Sequence, residues 1–220
     1  MKARFVKKVK RNSTISSFYF QPEAKMDYIA GQFIELALPF KTKEVRGNKR
    51  WFTLSSSPGE EYLFITTRVF TERSLFKKKL ASMRPGQEVD IALPMGDFVL
   101  PKSKEADLIF IAIGIGITPF RSIVNHLAEE GKERKITLIF ANKNSEDFIF
   151  DNLFSKAKIS YIKHHGKLEL ADIKSYVTEI KSKTIYLSGP ERTVESFYKD
   201  LLSDGIRPEK ISVDYFHNYD

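Results

Sequence analysis

Two short segments carry the side chains best suited to chemistry. Residues 50–58, Arg50-Trp51-Phe52-Thr53-Leu54-Ser55-Ser56-Ser57-Pro58, set a guanidinium, aromatic rings and several hydroxyls along one strand end. Side chains alternate along a strand, so Arg50, Phe52 and Leu54 share one face and Trp51, Thr53 and Ser55 the other, unless a twist or bulge intervenes. Arg50 can clamp a phosphate, Phe52 can cover an aromatic ring system, and Thr53 can donate a hydrogen bond. Taken alone, the stretch reads first as a half-buried strand with a polar edge. The second segment, Gly114-Ile115-Gly116-Ile117-Thr118-Pro119, follows an apolar strand. Its glycines let a phosphate approach the backbone, and Pro119 suits the first position of a helix. Strand, glycine turn and helix come in the order that nucleotide binding requires. The Rossmann fingerprint would need glycine or alanine where Pro119 stands, and a simple tight turn is the other reading.

The elements that must position these residues fall into two halves. Short strands separated by turn residues fill the first hundred positions, at 3–10, 15–20, 32–38, 50–55, 62–70 and 88–93, which predicts an antiparallel barrel or sandwich. One helix interrupts them, from Glu72 to about Met83, with Thr71 as its cap and Pro85-Gly86 as its stop. The stretch Thr71-Glu72-Arg73-Ser74 thereby offers free backbone N–H groups and a positive dipole end to a pyrophosphate, although Thr71 or Ser74 can equally be ordinary caps. Beyond the polar connector Pro101 to Glu105, apolar strands at 108–113, 136–141, 159–163, 184–187 and 211–215 alternate with helices such as 119–130 and 191–203. Gly131 and Gly205 mark helix ends. This βα repetition predicts one parallel sheet with ligands at the carboxyl ends of its strands. The expected division is an antiparallel β-barrel domain at 1–101 and an α/β domain with a five-stranded parallel sheet at 102–220.

Composition narrows the function classes. A chain of 220 residues is long enough for two cores, and 42% hydrophobic with 29% charged residues is ordinary for a globular protein. With no cysteine, disulfides, thiolate nucleophiles, cysteine-held zinc and ordinary iron–sulfur clusters are excluded within this chain. The longest apolar stretch, Leu108 to Ile117, is too short to span a bilayer, and no signal-like segment follows the first lysines, so a cytoplasmic location is expected. The net charge of +8 suits an acidic partner, an anionic surface or nucleic acid, and equally a solvated lysine-rich surface. The lysines are dispersed and accompany no nucleic-acid motif, so no nucleic-acid partner is expected. His164 and His165 are expected in a surface loop without metal-ligand spacing, and no metal site is expected.

Taken together, the motifs resemble those of the ferredoxin–NADP(+) reductase superfamily. Its barrel carries R-x-[YF]-[ST]-x-x-S, matched at Arg50 to Ser56; its second domain carries G-x-G-x-[TS]-P, matched at Gly114 to Pro119, and then C-G-P, matched as Ser188-Gly189-Pro190. Gly31-Gln32-Phe33, Gly96-Asp97-Phe98 and the tail from Asp214 through Phe216 to Tyr219 also agree, so the resemblance spans essentially the whole chain.

The resemblance implies a flavoprotein reductase that binds FAD, or FMN in its place, on the barrel and takes hydride from NADPH or NADH on the α/β domain. Arg50 would bind the flavin pyrophosphate, Phe52 would pack on the flavin, and Thr53 would hydrogen-bond near its N5, with Ser56, Arg73 and Ser74 completing the phosphate site. Gly114, Gly116, Thr118 and Pro119 would hold the nicotinamide nucleotide opposite Gly189, Pro190 and Glu191. Lys143 would meet a 2′-phosphate. Ser188 stands where many members have Cys, Phe216 would shield the flavin, and Asp214 would be the nearby acid. The implied acceptor is an acidic carrier such as ferredoxin or flavodoxin. Alternatives are a quinone, a haem protein or an oxygenase, and a binding module that keeps the fold without turnover.

Overall fold

The structure is a computed structural model and describes residues 1–41, 47–69, 72 and 74–216. Six strands form the first sheet: β1 (Lys2–Lys10), β2 (Ile15–Pro22), β3 (Phe33–Ala37), β4 (Lys49–Thr53), β5 (Leu63–Arg68) and β6 (Glu88–Ile91). All neighbours pair antiparallel, in the order β4-β3-β6-β1-β2-β5. A bridge from Leu54 to Ile65 brings the chain beyond edge strand β4 onto the opposite edge, β5, and gives the sheet its barrel-like closure. The alternating pattern has the expected cause. Ala3, Phe5, Phe18, Phe20, Ile34, Leu36, Phe52, Val89 and Ile91 point inward into one core cluster.

The interrupting helix, α1 (Leu75–Ala81), is shorter than the Glu72 to Met83 expected. Its cap is Ser74, whose backbone is extended (φ −154°) and whose Oγ accepts from Lys77 N at 3.3 Å. The helix therefore cannot start earlier. Phe76 and Leu80, one turn apart, anchor it in the barrel core. Thr71 and Arg73 lie outside the described residues.

The second sheet is parallel throughout. Strands β7 (Leu108–Ile113), β8 (Ile136–Asn142), β9 (Ser160–His165), β10 (Thr184–Pro190) and β11 (Ile211–Phe216) lie in the order β11-β10-β7-β8-β9. Helices α2 (Ile117–Glu129), α3 (Asp151–Lys156), α4 (Leu170–Tyr176) and α5 (Glu191–Ser203) connect them. Strand β7 is buried on both faces, as a central parallel strand must be. Leu108, Phe110 and Ala112 join one core with α2, whereas Ile109 and Ile111 join another with α4 and α5.

Two local expectations change. A 3₁₀ turn at Gly114–Gly116 runs straight into α2, which makes Pro119 the third helical residue instead of the first. Its missing N–H still falls among the unpaired donors of the first turn, so the helix loses no bond. His164 and His165 end strand β9 instead of lying in a loop, paired with Ala141 and Asn142. His164 is mostly buried, with Nδ1 3.1 Å from Tyr176 Oη and Nε2 3.1 Å from Lys167 O. Backbone pairing to β8 decides this stretch against its polar composition.

The two sheets share apolar contact. Phe98, in the segment leading from β6 to β7, packs edge-on against Phe120 and Tyr186, with ring centroids 5.6 and 5.1 Å apart. Tyr186 Oη donates to Val99 O at 2.7 Å. Among the described residues no helix is long and apolar enough to cross a membrane.

Candidate functional site

One carboxylate, Asp214, links strand ends of the two sheets. Parallel register sets Ser188 of β10 directly beside Asp214 of β11. Thr53, the last residue of β4, arrives from the other sheet. Thr53 Oγ1 donates to Asp214 Oδ2 at 3.0 Å, and Ser188 Oγ donates to the same oxygen at 3.2 Å. Both hydroxyl residues are buried. Burial pushes the Asp214 carboxyl up to about 6, against the pull of the Thr53 and Ser188 hydrogen bonds, which favour the ionised form. A carboxyl so poised can hold or release a proton near neutrality.

Gly116 explains how Ser188 is held in place. A Cβ at position 116 would lie 2.1 Å from Ser188 O and 2.7 Å from Gly189 N, so the turn before α2 rests directly on the backbone of β10. Gly116, Thr118, Pro119 and Gly189 are buried, and none of them lines the adjoining cavity. Their placement is that of a packed joint.

That cavity, about 860 Å³, opens at the carboxyl ends of β7, β8 and β10 and is lined by Gly114, Lys143 and Pro190 from the expected set. It lies beside the central strand β7, where chain direction across the sheet switches, the usual ligand position in such folds. Four cations line it: Arg68, Lys143, Lys167 and Arg192. Arg68 comes from the barrel and grips Asp147, with Nη2 donating to Oδ2 at 2.9 Å and Nη1 to Oδ1 at 3.2 Å. Asn12 Nδ2 adds a 2.8 Å bond to the same carboxylate. Burial pushes the Asp147 carboxyl up, but Arg68 and the asparagine amides outweigh it and leave it below the ordinary value.

Other expected residues are dispersed. Arg50 is half-buried, its guanidinium 5.0 Å from the Phe76 ring, with Nη1 donating to Gly47 O at 3.0 Å and Lys49 O at 2.6 Å. Phe52 lies in the barrel core, 5.9 Å from Phe76 and with Lys77 Nζ 4.9 Å from its ring, so it offers no open ring face; Trp51, beside it, is 60% exposed. Ser56 is fully buried, its Oγ accepting from Tyr28 Oη at 2.9 Å and from Phe64 N at 3.1 Å, which anchors the loop. Ser74 Oγ is engaged in capping α1. Glu191 opens α5, and Phe216 ends β11 opposite Pro190, half-buried against the core.

Sequence reasoning missed Arg68, Asp147, Lys167 and Arg192, which come from four distant segments that only the fold unites. It also missed Arg121, although this is the only Asp, Glu, Lys or Arg between residues 108 and 128, a signal in itself.

The family described as the Oxidoreductase NAD-binding domain matches residues 110–175. Flavohemoprotein A of Dictyostelium discoideum is 27% identical over 96% of this chain and 58% of its own length; the Bacillus subtilis flavohemoprotein is 27% identical over 96% and 57%. The chain thus spans a little under three fifths of these curated relatives. Among solved structures, the flavohem-like FAD/NAD binding domain of nitric oxide dioxygenase from Vibrio cholerae superposes with a TM-score of 0.82 at 22% identity, covering 97% of this chain and 98% of that one. A ferredoxin NADP+ reductase from Neisseria gonorrhoeae, with bound FAD and NADP, gives 0.83 at 18% identity, covering 98% of each. The chain shares the fold of these flavohem-like and ferredoxin NADP+ reductase structures, and its residues 110–175 match the oxidoreductase NAD-binding domain family.

Proposed function

We propose that the chain is an NAD(P)H-dependent flavoprotein reductase, with a flavin-binding domain at 1–101 and a nucleotide-binding domain at 102–220. The observation that carries this reading is the convergence of Thr53, Ser188 and Asp214 from both sheets onto one carboxylate oxygen. The residues fit the cofactors. The cavity at the strand ends sets Arg68, Lys143, Lys167 and Arg192 against three carboxylates, Asp147, Glu169 and Asp200, a wall with a small positive excess that suits an anionic dinucleotide. At the barrel edge, the half-buried Arg50 guanidinium and the exposed Trp51 ring offer a cation and an aromatic face, which suits FAD.

When bound, the nicotinamide supplies hydride and the flavin receives it and passes electrons on singly. The chain's own residues do the rest. Thr53 and Ser188 would flank the flavin and the nicotinamide, the Asp214 carboxyl between them can hold or release a proton near neutrality, and Gly116 keeps Ser188 in place. Lys143 opposes a 2′-phosphate, and Arg68 joins the barrel to the dinucleotide cavity.

The acceptor is a separate redox partner. The charge of +8 favours an acidic carrier such as ferredoxin or flavodoxin. Likeness to flavohemoproteins favours a haem protein as the second reading. Anaerobic titration of FAD-reconstituted protein with NADPH and, separately, NADH tests the proposal. Bleaching of the oxidised flavin band supports it and fixes the donor; bound flavin that neither donor bleaches overturns it.

A further inference from the structure

Thr53 reaches Asp214 from the other sheet, so the loop that follows it must be held in register with the parallel sheet. Helix α2 does this with one face. Arg121 Nη1 donates to Ser55 O at 2.9 Å; Nη2 donates to Glu60 Oε1 at 2.9 Å, and Nη1 also meets Glu60 Oε2. Ser122 Oγ donates to Ser56 O at 2.5 Å, and Asn125 Nδ2 donates to Ser57 Oγ at 2.8 Å. Glu60 Oε2 accepts from Ser57 N at 2.7 Å, closing the loop upon itself. The Arg121 guanidinium is largely buried and lies 4.7 Å from the Phe64 ring and 5.8 Å from the Phe150 ring. At its start the same helix is seated on Ser188 through Gly116. One continuous element is therefore coupled to both hydroxyl residues of the site: to Ser188 through the turn that leads into it, and to Thr53 through Ser55, two residues on.

A buried ion pair is a poor way to gain stability, because desolvation offsets most of the attraction. An apolar contact would bind the interface as well. What the guanidinium adds is geometry: a planar fork that fixes a carboxylate and a carbonyl at once, which a lysine ammonium cannot reproduce. We propose that Arg121 is a positioning residue for the reaction, setting Thr53 over Asp214 and Ser188 across the boundary between the two sheets by gripping Ser55 O and Glu60. Its kinetic consequence rests on the reductase reading; its geometric consequence does not. Neither Arg121 nor Glu60 lines the dinucleotide cavity, so donor affinity is separate from this effect.

The test compares Arg121→Lys, Thr53→Val and the double variant, with Tyr161→Phe as a control that loses only a bond to Asp151. In stopped-flow reduction of the FAD-loaded protein by its nicotinamide donor, Arg121→Lys is expected to lower the limiting rate on the order of 10- to 100-fold, the scale of a misplacement near 1 Å. The half-saturating donor concentration stays unchanged. The double variant should be no slower than Thr53→Val alone, since both act through Thr53; effects that multiply would overturn the proposal. A second readout needs no flavin. Carboxyl ¹³C NMR, with the Asp214 signal assigned by its loss in Asp214→Asn, follows the titration of that carboxyl. Thr53→Val removes a bond that favours the anion and so raises the midpoint, and Arg121→Lys is expected to raise it equally. A midpoint left at the wild-type value in folded Arg121→Lys overturns the proposal even if no donor reduces the protein. Should Arg121→Lys fail to fold, Glu60→Gln, which keeps the size of the partner but weakens the grip, is read against the same criteria.

Discussion

At the scale of single residues, two hydroxyls converge on one carboxylate oxygen, and Thr53 and Asp214 each make a distinct prediction. Thr53→Val keeps the shape of the side chain and deletes the donor to Asp214. The expected result is a limiting rate of flavin reduction lower by about 10- to 100-fold with little change in donor affinity, the mark of an interaction made chiefly in the transition state. Stopped-flow reduction measures it. Asp214→Asn addresses the buried charge. Because burial raises the folded-state value to about 6, above the ordinary carboxylate value, the native protein binds more protons than the unfolded chain between those limits. The contribution of Asp214 to stability is therefore full below the unfolded value and is lost as pH rises through about 6. A rise of roughly two units, at about 1.36 kcal/mol each, makes that loss on the order of 3 kcal/mol. Denaturant unfolding at several pH values should show wild-type stability falling relative to Asp214→Asn across that window. Parallel curves would show that Asp214 carries no raised value.

At the scale of elements, the decisive contact is the turn before α2 resting on β10. Gly116, the N-cap of α2, has φ −59°, a backbone that alanine adopts freely, so conformation alone permits Gly116→Ala. The added methyl would meet a backbone carbonyl 2.1 Å away, which no rotamer change relieves. Overpacking of this kind costs about 1–3 kcal/mol. Thermal unfolding should show a lower midpoint, and flavin reduction should slow as Ser188 is displaced from Asp214. Which elements exist was legible because their cause is local: alternation in the barrel strands, an unbroken apolar run in β7 and mainly apolar runs in β8 and β10. Where the start of α1 falls was not, because Ser74 takes an extended backbone and caps Lys77. The strand character of His164 and His165 was hidden because only pairing to β8 makes them a strand. In the site, Thr53, Ser188 and Asp214 were legible as motif positions. That Phe52 turns into the barrel core, that Ser56 anchors a loop, and that Arg68 crosses to Asp147 all depend on register and closure, which no window of sequence contains.

At the scale of the whole molecule, charge and packing divide differently. Packing joins the halves, since Phe98 lies against Phe120 and Tyr186 in one core. Charge separates them. Residues 1–101 hold 18 of the 36 lysines and arginines but only 10 of the 28 aspartates and glutamates, so the entire excess of +8 belongs to the barrel half and the remainder is balanced. An acidic redox protein would thus be oriented toward the half that carries Thr53, while a neutral acceptor would feel no such pull. Raising ionic strength from about 0.01 M to about 0.15 M shortens the screening length from about 30 Å to about 8 Å. Electron delivery to an acidic carrier should then slow on the order of tenfold or more through its association rate, while reduction of a small uncharged quinone at equal driving force stays constant. Reduction of the flavin itself, measured in the same series, separates a salt effect on the anionic nicotinamide donor from one on the acceptor. Equal salt dependence for the acidic protein and the quinone would mean that the asymmetry of charge along the chain has no part in choosing its partner.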